Sequence, residues 1–141
     1  MNRPQTVWFF TIISFLGALI GFFSFYMVAV YGTPVASAGY VKNVSLVNII
    51  SVMPLLGVVV LAGLVADLVL LVFLYKFFNL QRSSLKWAHA AFGLSVISQA
   101  FPIVLGQAIN FLSIIIALVF WWAVVDYVNK KKTAEGTPLF S

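Results

Sequence analysis

Apolar positions in this chain do not alternate with polar ones. They run together in blocks, and four of the blocks are long enough to cross a bilayer. The first is "VWFFTIISFLGALIGFFSFYMVAVY", residues 7–31. At about 1.5 Å per helical residue it exceeds the ~30 Å of a hydrocarbon core. Arg3 is the only basic residue ahead of it, and no small-residue cleavage pattern closes a short apolar region, so a retained helix is expected rather than a removable signal. "GTPVASAGYVKN", residues 32–43, carries the Gly, Pro, Ser and Asn of a loop.

From Ser45 to Leu80 the sequence is again nearly all apolar. One helix of that length would extend about 50 Å, too long for one straight crossing. Pro54 supplies the break, because proline removes a backbone donor and disfavours a straight helix. "SLVNIISVM" is therefore expected to lie as an interfacial or kinked segment before a span over residues 54–78, with one long tilted helix as the alternative. After the polar turn "NLQRSSLK" comes a third span, "WAHAAFGLSVISQAFPIVL", with Pro102 at its end. Gly106 and Gln107 lead into the fourth, "AINFLSIIIALVFWWAVVDYV". The expected fold is an all-α, four-transmembrane-helix bundle over residues 1–132, followed by a short polar C-terminal tail, 133–141, unable to fold alone.

Composition fixes the solvent. Hydrophobic residues make up 63% of the chain and charged ones 8%, with a mean hydropathy of +1.11. Soluble domains carry roughly 25% charged residues, and 141 residues could not hide this much apolar surface from water. The eight basic residues give a net charge of +5, but they lie between apolar blocks and do not form a nucleic-acid patch. They encode orientation instead. Arg3, Lys76, Arg82, Lys86, Lys130, Lys131 and Lys132 fall on one side of the spans and only Lys42 on the other. Both termini are expected in the cytoplasm of a multi-pass cell-membrane protein, the inner membrane if the source is bacterial. Trp8, Trp87, Trp121, Trp122, Tyr75 and Tyr127 cluster toward that same interface, where amphipathic rings sit well. The lysine run doubles as a stop-transfer anchor with contact to anionic lipid.

Association inside a bilayer rests on close backbone approach and interhelical hydrogen bonds, since lipid is as apolar as the helices. The third span places Ala88, Ala91, Ser95, Ser98 and Gln99 in one stripe suited to both. Gly17 and Gly21 in the first span, Gly63 in the second, and Asn110, Ser113 and Ala117 in the fourth continue the theme of small and polar packing positions. These stripes are expected to meet in the bundle or against another membrane protein or a second copy.

Asp67 is the anomaly. It lies nine residues from Lys76, about 13 Å along a helix, near the middle of the hydrocarbon. An acid there costs at least ~2.5–3.5 kcal/mol, so it calls for a neutral form, a polar partner, or both. Ser95 sits at a similar depth, and an internal polar layer of Asp67, Ser95, Ser98 and Gln99 is expected. The leading reading is a peg that fixes helix register in a non-catalytic accessory or structural subunit packed laterally against a partner. The alternative is a small proton- or cation-coupled transporter or channel with Asp67 as its ion site, although the outer half of the second span, "MPLLGVVVLAG", adds no polar step.

The remaining titratable groups are interfacial. Asp126 precedes Lys130 by four residues in the order that favours a local ion pair, and His89 lies off its helix's polar stripe. No enzyme is expected: there is no G-x-S-x-G, no H-E-x-x-H and no phosphate-cradling glycine loop, and Ser95 and His89 fall on different faces. One histidine and no cysteine cannot build a zinc or bis-ligated haem site unaided, so neither metal nor cofactor is expected. "NVS" at Asn43 is a formal glycosylation sequon on the outer side.

Overall fold

The computed structural model describes residues 3–37, 40–44, 48, 51, 54–106 and 109–141. Helix α1, Gln5–Tyr31, starts behind Pro4, whose extended backbone and fixed φ suit a helix entrance, and stops at Gly32 with φ 81°. Two short antiparallel strands follow, β1 (Thr33–Ser37) and β2 (Tyr40–Val44), in register from Thr33 opposite Val44 to Ser37 opposite Tyr40. The expected irregular loop is thus a hairpin. Val35, Tyr40, Val41 and Val44 favour extended backbone, and Pro34, which lacks an amide donor, is tolerated because both strands of so small a sheet are edges.

Helix α2 is Pro54–Phe78. The interfacial or kinked segment expected before it lies largely outside the described residues. At its far end Gln81 N–H donates to Lys76 O and Leu80 N–H to Phe77 O, the paired bonds of a left-handed helix stop. Leu80 occupies the left-handed position, φ 57°, where glycine is usual. Its side chain packs on the core and its carbonyl accepts from Ser141 N–H, both of which offset the backbone cost.

Helix α3, Ser84–Ala100, gives way to a 3₁₀ turn at Phe101–Leu105 around Pro102, and Gly106 closes that turn at φ 76°. Helix α4, Phe111–Lys130, is capped by Asn110, whose Oδ1 accepts from Ser113 N–H at 3.2 Å. Four helical stretches, the third running on through the 3₁₀ turn to Val104, are long and apolar enough to span a membrane, which makes this a multi-pass membrane protein by helix length and composition. Phe23, Ile20, Leu112 and Trp122, each more than 60% exposed, belong to a broad apolar surface suited to lipid.

The packed core lies at the end where the two chain termini meet. Phe10, Phe73, Phe77, Phe92 and Phe120 interlock edge-on or tilted, with centroids 5.3–6.0 Å apart. Val7, Val124 and Val128 are fully enclosed beside them. Arg3 ties the start of α1 to the end of α2, its Nε donating to Phe78 O and its guanidinium stacked 4.0 Å from the Phe78 ring.

Residues 131–141 are not a free tail. Thr133 N–H donates to Thr137 O at 2.8 Å, Gly136 turns at φ 83°, and Leu139 N–H returns to Lys131 O at 3.1 Å. This fold-back delivers Leu139 and Phe140 into the aromatic core, where Phe140 stacks against Phe77 and Tyr127 with centroids 5.2 and 5.9 Å away. Arg82 N–H then donates to Ser141 O at 2.9 Å, joining the tail to the α2–α3 turn. Polar as it is, the segment packs on the bundle.

Candidate functional site

Asp67 stands halfway along α2, and its neighbours explain how a carboxyl group fits between helices. A Cβ added to Gly21 on α1 would fall on the Asp67 carboxyl group, well inside van der Waals contact. Only glycine leaves that space. Gly63, one turn from Asp67 on α2, makes a comparable opening toward α3: a Cβ there would lie 3.0 Å from Ser98 Oγ. Through it Ser98 donates to the backbone carbonyl of Val59 at 3.0 Å, an interhelical bond that needs close backbone approach. Gly17 plays a different part, because nothing lies within 4 Å of where its Cβ would be. It widens the site and brings no neighbour closer.

On the opposite wall, Gln99 joins α3 to α4. Its Nε2 donates to Ser95 Oγ at 2.9 Å, one turn away, and its Oε1 accepts from Ser113 Oγ at 2.5 Å. Asp67, Ser95, Ser98 and Gln99, the four positions of the expected layer, border one cavity, and Ser113 borders it with them. Among the described residues Asp67 itself has neither a hydrogen bond nor an ion pair. Its carboxyl group borders a cavity of two lobes, each about 380 Å³, that share Gly17, Ile20, Asp67, Ser95, Gln99 and Ser113.

The lobes differ in lining. One runs toward the hairpin end past Ser24, Phe25 and Val28 of α1 and Val60, Gly63 and Leu64 of α2. The other runs toward the termini past Ser14, Ala66, Leu70, Ala91, Phe92, Ala117 and Phe120, ending against the aromatic core. Ser14 is only 4% exposed, and its Oγ has no hydrogen-bond partner. Sequence reasoning picked out neither Ser14 nor Ser24. Both were findable: residues 14, 17, 21 and 24 are spaced to share one face of a helix, so the two serines extend the glycine pair into a longer stripe.

The remaining predicted positions fall elsewhere. Ala88 and Ala91 are buried in α3, and Ala117 lines the terminal lobe. Asn110 is exposed and serves as the cap of α4, so it is not part of the interhelical face it was expected to share with Ser113 and Ala117. A capping residue sits where the helix has not yet begun, and the face periodicity does not extend to it. Asp126 Oδ1 pairs with Lys130 Nζ at 2.6 Å, and exposed His89 accepts from Trp121 Nε1 at 3.1 Å through Nδ1. Ser95 and His89 thus have different partners. Lys131 and Lys132 are exposed, and no group of three or more His, Asp or Glu comes together among the described residues.

The chemistry this arrangement offers includes recognition. One carboxyl group, side-chain hydroxyls and an amide border a mostly apolar space of a volume typical of small-ligand sites. The hydroxyls of Ser98 and Ser113 donate to Val59 O and Gln99 Oε1, and that of Ser95 accepts from Gln99 Nε2. Comparison with protein-family models, with curated proteins and with solved structures finds no match to this chain.

Proposed function

We propose that this protein is a small proton- or cation-handling transporter or channel of the cell membrane, with both termini cytoplasmic and Asp67 as its intramembrane ion site. The observation that carries the reading is the Asp67 carboxyl group, without a hydrogen bond or ion pair among the described residues, bordering a cavity that hydroxyls and an amide also line. A register peg would need a hydrogen-bonding partner on the next helix, and Asp67 faces a glycine instead. Polar steps missing from the outer half of α2 are provided by Ser24 on α1 and Ser98 on α3. Seven basic residues on the terminal side against one on the other support the orientation.

The test is flux in proteoliposomes loaded with a pH- or potassium-sensitive dye. The native chain is expected to pass protons or a monovalent cation down an imposed gradient. Asp67→Asn, which keeps shape and hydrogen bonding but cannot ionise, is expected to remain folded and to lose the flux. Equal flux through both proteins contradicts the proposal.

A second reading, the accessory subunit, draws on a separate observation. Helix α1 packs on α2 and α4 packs on α3, while α1 and α4 touch through Phe10 with Phe120 and Tyr127 near the termini. The side of the bundle between α1 and α4 is therefore less closed than the others and suits a partner helix carrying a basic residue. That reading predicts a second membrane protein that co-elutes with the native chain in mild detergent and is lost from Asp67→Asn.

A further inference from the structure

We infer that the cavity beside Asp67 binds a small primary alkylammonium ion, its ammonium head on the Asp67 carboxyl group and its alkyl chain in the lobe toward the termini. The inference rests on the ion-site reading above and adds the class of cation.

Charge sets the sign of the ligand. None of the described residues lining either lobe is basic, so the cavity wall supplies no positive charge opposite Asp67. Donor count then separates classes of cation. Calcium and magnesium take six or more oxygen ligands, whereas the site presents one carboxylate and scattered hydroxyls. An ammonium head asks for three acceptors. Asp67 is one. Ser113 Oγ, which spends its own proton on Gln99, keeps a lone pair for another. Ser95 Oγ, which accepts from Gln99 Nε2 and borders both lobes together with Asp67, keeps a second lone pair for the third.

Size and polarity give the rest of the molecule. A proton or bare alkali ion needs no space of about 380 Å³. Leu70, Phe92, Ala117 and Phe120 make the far wall apolar, which suits a few methylene groups and rewards each with about 0.8 kcal/mol on transfer from water. Head and chain are thus matched by the two unlike ends of one cavity.

The experiment titrates n-butylammonium chloride into the full chain in phosphatidylcholine nanodiscs, following heat and tryptophan fluorescence. Potassium chloride and neutral n-butanol are titrated in parallel. Saturable one-to-one binding of n-butylammonium is expected, with affinity rising along the series from ethyl to butyl and no saturable response to n-butanol. Asp67→Asn is expected to weaken binding at least about tenfold. Ala117→Phe, which fills the apolar lobe without altering the acid, is expected to weaken it by a similar factor and carries the test if the Asp67 variant fails to fold. Binding that is unchanged by both variants overturns the proposal. Asp67-dependent proton or potassium flux with no binding of n-butylammonium overturns the ligand class and leaves the ion-site reading standing. Loss of neither flux nor binding in Asp67→Asn removes both. A partner's lysine is distinguished by its co-elution with the native chain, and finding it on Asp67 in place of a free amine also overturns the proposal.

Discussion

The two halves of this bundle solve the problem of packing in lipid in opposite ways. Near the termini, interlocked phenyl rings and enclosed valines fill the space between all four helices, and the fold-back at 131–141 seals it with Phe140. Toward the hairpin, α1, α2 and α3 are held by glycines and serines, and the space between them stays partly open around Asp67. Water exclusion gives helices little reason to associate inside a bilayer. One half therefore relies on dense contact and the other on a few hydrogen bonds. The consequence is a densely packed base under a cavity bordered by an acid.

The sharpest way to break the contrast is to empty the base. Phe77→Ala removes a fully buried ring and is expected to cost about 3–5 kcal/mol. Phe23→Ala, on a ring 62% exposed to lipid, is expected to change stability by less than about 0.5 kcal/mol. Reversible unfolding in mixed micelles measures both. Gly21→Leu attacks the other half by driving a side chain into the Asp67 carboxyl group, an overpacking worth about 1–3 kcal/mol. Crosslinking between α1 and α2 should fall in that variant while the base stays intact.

Smaller changes sharpen the comparison. Ser113→Ala removes the donor to Gln99 Oε1 and is expected to cost about 1 kcal/mol in the same unfolding assay. Lys130→Ala breaks the exposed pair with Asp126 and is expected to cost no more than about 0.5 kcal/mol, with the difference disappearing at high salt.

What could be read from the sequence follows from what each feature depends on. Span positions depend on local composition, and the four helices lie where the apolar blocks place them. The stripe of Ser95, Ser98 and Gln99 depends on helical periodicity, also local, and these residues do line the cavity. Which helix the stripe faces depends on contacts between distant segments, so the Gln99–Ser113 bond and the apposition of Gly21 to Asp67 had no one-dimensional signal. The hairpin was hidden because Gly32, Pro34 and Ser37 punctuate it as a loop would, although Val35, Tyr40 and Val41 favour strand. Phe140 was hidden by its company: two apolar residues after ten mostly polar ones carry no period, and only the turn at Gly136 brings them back to the core.

The central claim is that a cavity leads to Asp67 from the hairpin side while the terminal half is closed. The chain has no cysteine, so single introduced thiols report without background. Ser95→Cys, beside Asp67, and Ala88→Cys, in the packed base, are to be exposed in sealed vesicles to a small water-soluble thiosulfonate, which reacts only with a hydrated thiol. Rapid labelling of the thiol at 95 from the hairpin side, with the one at 88 protected, is the predicted result; protection at 95 from both sides, or equal labelling at the two positions, would contradict it.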